Sequence, residues 1–184
     1  MPHDQNDQGD QYQQQFSVLY SDALIQCQRT GADIWLMIAG AEQAGAITPQ
    51  LAAALLTALT AIEQSHSSNP AGTLRISIGN SAGADINNPA ESLENINAIL
   101  ESLWKLHAQQ LRVHVTVDEG CYGGAAILLA TCADEIMLGD QSQVALFGPR
   151  VLSALDNTPT PVQTPTRSFS PPEHLRVKRV GLPI

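Results

Sequence analysis

Thr73-Leu74-Arg75-Ile76-Ser77-Ile78-Gly79-Asn80-Ser81-Ala82-Gly83-Ala84-Asp85, followed closely by Asn88-Pro89-Ala90-Glu91, is the stretch that decides the fold class. Thr73–Ile78 reads as a strand. Gly79–Asp85 is so rich in small residues that it reads as a tight loop. Asn88 to Glu91 has the pattern of a capping box with proline at the first helical position. The helix it opens sets Leu93, Ile96, Leu100 and Leu103 on one face. The unit is therefore strand, tight loop, helix.

The same unit recurs on both sides. Upstream, the apolar run Ile34–Ala39 predicts a strand buried on both faces. Thr48 as N-cap and Pro49 at the first helical position open a helix whose Leu51, Leu55, Leu59 and Ile62 fall at helical spacing. A loop is expected over Ser65–Gly72. Downstream, Leu111–Val117 alternates Leu and Val with Arg, His and Thr, as a third strand does. Asp118-Glu119-Gly120-Cys121-Tyr122-Gly123-Gly124 is a second small-residue loop, and a buried helix over Ala125–Ala133 and a short strand over Glu135–Leu138 follow. Strands alternating with helices imply right-handed crossovers and a mostly parallel sheet, an α/β fold. There is no internal repeat.

Composition narrows the function classes. The 184 residues suit one domain with a real core. A formal net charge of −9 argues against nucleic acid and against an anionic membrane surface. No apolar run approaches the roughly 18 residues of a membrane span. The start of the chain has no apolar segment of the secretory kind. Cys27, Cys121 and Cys132 show no metal-ligand spacing, so no metal is expected, and three cysteines in so Cys-poor a chain suggest reduced thiols in the cytoplasm. Residues 1–150 net −11 whereas residues 151–184 net +2 and hold six of the 11 prolines. The expected organisation is a disordered polar arm over 1–15, a core over 16–155, and a Pro-rich basic tail over 156–184 that is poorly ordered.

The two loops carry the chemistry. A loop between strand and helix leaves backbone N–H groups pointing outward, and small residues let a ligand approach that backbone. Donors from two such loops converging on one oxygen make an oxyanion hole, suited to a thioester carbonyl becoming an enolate. One loop alone reads first as a tight strand-to-helix turn with no ligand.

The pair, however, resembles a known family. Ser81-Ala82-Gly83-Ala84-Asp85-Ile86 looks like the S-A-G-A-D-I loop of enoyl-CoA hydratases and isomerases, the crotonase superfamily. Gly45-Ala46-Ile47-Thr48-Pro49-Gln50-Leu51 is similar to their N-A-L-T-P-E-L helix opening. Gly120 through Asp134 resembles their glycine-rich segment, and Phe147-Gly148-Pro149 falls where they carry F-G-x-P. The segments keep family order across about residues 33–152. The resemblance implies a ClpP/crotonase-like sheet with helices, truncated at the C-terminus. It also implies that Ala84 supplies one oxyanion N–H and Gly124 or Ala125 the other, with Asp85 shaping the first loop. Ser81, Gly83, Gly123, Gly148 and Pro149 would contact the substrate, and Tyr122 could donate to the developing oxyanion.

The departures matter equally. The two glutamates of the hydratases map onto Leu128 and, nearly, Arg150, neither of which moves a proton as a carboxylate does. Gly123-Gly124, Asp134 and Phe147-Gly148-Pro149-Arg150-Val151 also look like the carboxyltransferase beta subunit of acetyl-CoA carboxylase and the beta subunit of malonate decarboxylase. The expected function is binding of an acyl-CoA or acyl-carrier thioester with enolate stabilisation, as a lyase or isomerase or a decarboxylase. Two alternatives stand beside it: a catalytically silent companion of an active enzyme, and a carboxyltransferase-type half-subunit. No cofactor is expected beyond the coenzyme A or carrier of the substrate, and a homo- or hetero-oligomer is expected. Asp118 and Glu119 read as a solvated strand-end pair before they read as pocket acids. Cys121 at a helix start could have a lowered pKa but has no obvious His partner. His107 and His114 read as structural or surface residues.

Overall fold

In the computed structural model, residues 16–38, 46–85, 87–139 and 142–145 are described, Ala130 and 176–179 by their backbone alone. An antiparallel meander opens the chain: β1 (Phe16–Ser21), β2 (Ile25–Thr30) and β3 (Asp33–Ile38). After the two-residue β4 (Ala46–Ile47), the fold repeats helix and parallel strand: α1 (Pro49–Ser68), β5 (Thr73–Ser81), β6 (Gly83–Ala84), α2 (Pro89–Ala108), β7 (Arg112–Tyr122), α3 (Gly123–Cys132) and β8 (Glu135–Leu138). β9 (Gln143–Ala145) and β10 (Arg176–Arg179) complete it. The main sheet runs β1-β2-β3-β5-β7-β8-β10, with β9 on the far end of β7, and β4 pairs with β6 separately. Every pair from β3 to β10 is parallel.

The fold is α/β and crotonase-like, as the sequence led one to expect, and several local expectations need correction. β1 and β2 were not anticipated. The run beginning at Ile34 is not buried on both faces: Ile34 and Leu36 point into the core, but Trp35 and Met37 are exposed. The reason is that α1, α2 and α3 cover one side of the sheet only. Buried Leu74, Ile76 and Ile78 of β5 and Val113, Val115 and Val117 of β7 meet those helices, while the alternate residues look the other way. α1 runs on to Ser68, through the first half of the expected loop.

Neither glycine-rich segment is a plain loop. β5 continues to Ser81, and Gly83–Ala84 forms a strand beside β4. β7 continues through Tyr122, with a register shift where Asp118 and Glu119 oppose Gly79. That is a bulge, and Ser142 latches it, its hydroxyl donating to the carbonyls of Val117 (2.6 Å) and Asp118 (2.9 Å).

Helix starts follow their local chemistry, with one exception. Thr48 caps α1 as expected, its hydroxyl accepting from Leu51 N at 3.3 Å. Asn88, expected to cap α2, makes no such bond. Asp85 instead orders the turn before the helix: its carboxylate accepts from Asn87 N (2.9 Å) and from the Asn88 side-chain amide (3.4 Å). β10 lies inside the segment expected to be poorly ordered.

Candidate functional site

The site grows from the C-terminal ends of β5 and β7, which pair Asn80 with Gly120 and Ser81 with Cys121. Beyond them the two small-residue segments meet backbone to backbone. Gly83 sits at φ +86, and a methyl group on it would stand 2.3 Å from the Tyr122 carbonyl oxygen and 3.0 Å from Gly124 N. A methyl on Gly123 or on Gly124 would lie 3.9 Å from Ala84 N. No residue with a side chain at 83 allows this approach without moving one backbone off the other.

α3 begins at this contact. Its N-cap, Tyr122, gives no side-chain cap, and its first turn carries no acidic residue. The N–H groups of Gly123, Gly124 and Ala125 occupy the first turn, where a helix offers no internal partner, at the positive end of its dipole. Ala84, Gly124 and Ala125, named from the sequence as donors, are thus brought together, and Ser81, Gly83 and Gly123 surround them. Gly83 N donates to the Ser81 hydroxyl at 3.3 Å. Asp85 is buried, its carboxylate held by the turn before α2, while its own N–H donates to Ser92 Oγ at 3.0 Å. Tyr122 folds back over its own strand: a methyl on Gly120 would collide with its ring at 2.6 Å. Gly148, Pro149 and Arg150 lie outside the described residues.

Behind the contact, between sheet and helices, lies an apolar cavity of about 70 Å³ accessible to water. A single water needs about 10–15 Å³ on this measure, so the space holds several carbon atoms but no coenzyme. Ile47, Leu51, Ile99, Leu103 and Leu128 line its wall, and among the described residues Asn80 and Ser81 are the polar ones that reach it. Sequence reading marked Leu51 and Leu103 by their helical spacing, Ile47 only within the Gly45–Leu51 segment, and passed over Ile99; helical spacing does not separate a cavity wall from a filled core.

Leu128, at the expected glutamate position, is buried in this wall. Asp118 and Glu119 are exposed on the bulge. Cys121 does not fit a reactive thiol, since burial pushes it up to about 12, and Cys27 and Cys132 likewise. His107 is exposed, 3.8 Å from Asp134, and His114 lies on the open side of the sheet. Among the described residues no three metal-ligating side chains converge, and no helix is long and apolar enough to cross a membrane.

This arrangement defines a crotonase-like α/β fold with its two glycine-rich segments in contact at the ends of parallel strands. No protein-family model matches the sequence, and no curated protein matches it significantly. Solved structures match it at the level of fold. The MdcD–MdcE heterodimer of Pseudomonas malonate decarboxylase superposes with TM-score 0.63 at 21% identity, over 77% of this chain and 63% of that one. An enoyl-CoA hydratase from Mycobacterium avium subsp. paratuberculosis matches with TM-score 0.55 at 17% identity, over 68% of this chain and 48% of that one. The transcarboxylase 12S hexamer, with methylmalonyl-coenzyme A bound, matches with TM-score 0.57 at 15% identity, over 73% of this chain and 25% of that one. The chain thus spans less than two thirds of each of these proteins.

Proposed function

We propose that the chain binds an acyl-CoA or acyl-carrier thioester and stabilises its enolate through the N–H groups of Ala84 and of Gly124 or Ala125. The observation that supports this reading is the backbone contact of Gly83 with Tyr122 and Gly124, next in sequence to Ser81 and Ala125, which line the apolar cavity. A carbonyl oxygen there would meet uncapped donors at a helix start, and a short acyl chain would enter the cavity. The fold supports the same reading, since its structural neighbours include proteins named for acyl-CoA and malonate chemistry.

The cavity has no carboxylate among its lining residues, and Leu128 fills the place from which one would act. Hydration, which needs a group to move protons, fits this poorly. Decarboxylation of a malonyl-type thioester fits better: the C–C bond to the carboxylate breaks, CO2 leaves, and the electron pair passes to the thioester oxygen held by the N–H groups. The same lack of a proton-moving side chain favours a second reading, a binding companion of an active chain.

The test compares butyryl-CoA with S-butyl-CoA, which differs chiefly in lacking the carbonyl oxygen. Calorimetry should show the thioester bound about tenfold tighter, the worth of one or two good hydrogen bonds. Equal affinity for both ligands sinks the oxyanion reading, and binding of neither sinks the thioester reading. CO2 release from malonyl-CoA then marks a decarboxylase, while binding without turnover marks a companion.

A further inference from the structure

Asn80 is a polar side chain at the acyl site to which no role has yet fallen. β5 runs unbroken past the bulge, because β7 takes the extra residue: Ile78 pairs with Val117 and Asn80 with Gly120. Asn80 therefore keeps the inward face of Ile76 and Ile78 and lines the apolar cavity with them. Ser81, which also reaches the cavity, has its hydroxyl engaged by Gly83 N at 3.3 Å. Among the described residues no hydrogen bond holds the Asn80 carboxamide. Asn80 is only partly buried, so water serves the amide in the free protein.

The size of the cavity limits what that amide would meet. An apolar cavity of roughly 150 Å³ takes a benzene ring, so about 70 Å³ takes roughly three or four heavy atoms of an acyl chain. Ala125, one of the proposed donors, lines the same cavity. With the thioester oxygen at the donors, the first carbon sits at the mouth, and the second must stay free to become the enolate carbon. The third is then the first atom that can carry a polar substituent toward Asn80. An alkyl chain there would displace water from the amide and give it no partner, and an unpaired amide in apolar surroundings is costly. An oxygen on that carbon would pair with the amide, since a carboxamide both donates and accepts.

We infer that Asn80 sets the acyl specificity of this site and selects a thioester whose third carbon carries an oxygen: a 3-hydroxyacyl, 3-oxoacyl or malonyl-type group. Asn80 has this role only with a thioester in the site, as proposed above. The malonyl-type group of the proposed decarboxylation belongs to the class. One neutral amide positions its carboxylate without neutralising it as a cation would, so the ground state is not held back from losing CO2.

Calorimetry on the full chain compares butyryl-CoA, which lacks such an oxygen, with both enantiomers of 3-hydroxybutyryl-CoA, with acetoacetyl-CoA and with malonyl-CoA. At least one oxygenated ligand should bind about tenfold tighter than butyryl-CoA, the difference between a hydrogen bond made and one lost. Which one it is tells a hydroxyl, a keto oxygen and a carboxylate apart. Asn80→Leu, with the same side-chain branching, should abolish the preference while the circular dichroism stays unchanged, and Asn80→Ala gives the same comparison if the leucine variant does not fold. Butyryl-CoA bound as tightly as every oxygenated ligand overturns the inference and leaves the thioester reading standing. So does a preference that the Asn80 variants keep. Binding of none of the ligands overturns the thioester reading and the inference with it.

Discussion

Alanine in place of Gly83 separates the cost of backbone conformation from the cost of parting the two site segments. Gly31 and Gly83 both have positive φ, +59 and +86, and alanine there is strained whatever the space around it. That strain is about 1–2 kcal/mol, of which about 0.4–1 kcal/mol is offset because alanine narrows the unfolded ensemble. Around Gly31 a methyl group meets nothing within 4 Å, so Gly31→Ala should cost about 1 kcal/mol in all. At Gly83 the methyl meets the Tyr122 carbonyl at 2.3 Å and Gly124 N at 3.0 Å, both backbone atoms that no rotamer change can clear. The added overpacking term of about 1–3 kcal/mol brings Gly83→Ala to roughly 3 kcal/mol. With a urea slope of about 2 kcal/mol per M, the midpoints should fall by about 0.5 M for Gly31→Ala and about 1.5 M for Gly83→Ala. Gly123→Ala, at φ +57 with its nearest atom at 3.7 Å, should behave like Gly31→Ala. If Gly83→Ala and Gly31→Ala lie within about 0.5 kcal/mol of each other, the segments are not in the contact on which the site depends.

Two further outcomes follow from buried groups. Burial raises Cys27, Cys121 and Cys132 from 9.0 to about 12, so the unfolded chain loses these protons first, and the stability they protect is intact below pH 9 and lost as pH rises toward 12. The slope is up to about 1.4 kcal/mol per pH unit per thiol; urea midpoints at pH 8 and 10.5 check it, and fast iodoacetamide labelling of native protein at pH 8 contradicts it. Arg29 is buried with no carboxylate partner among the described residues, its guanidinium donating to the carbonyls of Gly31, Ser65, Asn69 and Pro70. Arg29→Met should cost about 2–4 kcal/mol by thermal or chemical unfolding and Arg29→Lys should recover little, because an ammonium cannot span acceptors on both sides; full recovery with Lys refutes the fork geometry.

Arg29 also shows why the first two strands were illegible. β2 alternates well, with Ile25 and Cys27 inward and Gln26 and Gln28 outward, but the third inward residue is Arg29. Besides nearby Gly31, its burial is made acceptable by the end of α1 and the residues after it, 36 to 41 residues later, and no local pattern contains that information. The opposite error at Ile34–Ala39 has the same root. A continuous apolar run reads as buried on both sides, and whether Trp35 and Met37 are covered depends on which side the crossovers take. The helices were legible because capping at Thr48-Pro49 and spacing along Leu51–Ile62 are local properties.

The site was legible in its parts and not in its joining. Small residues at 79–85 and 118–124 signal that a backbone must approach something, and the sequence names neither the partner nor the distance. Here each segment is first of all the other's partner, and the extended strands that run into them, bulged at Asp118–Glu119, aim them at one another. The loss of the glutamate position then belongs with the cavity rather than apart from it. Leu128 joins Ile47, Leu51, Ile99 and Leu103 in a wall that would strongly disfavour a charged carboxylate. Under the proposed function, a chain with that wall would rely on backbone dipoles to stabilise charge. Its proposed chemistry is accordingly one in which negative charge grows on an oxygen while no lining side chain among the described residues need carry a proton.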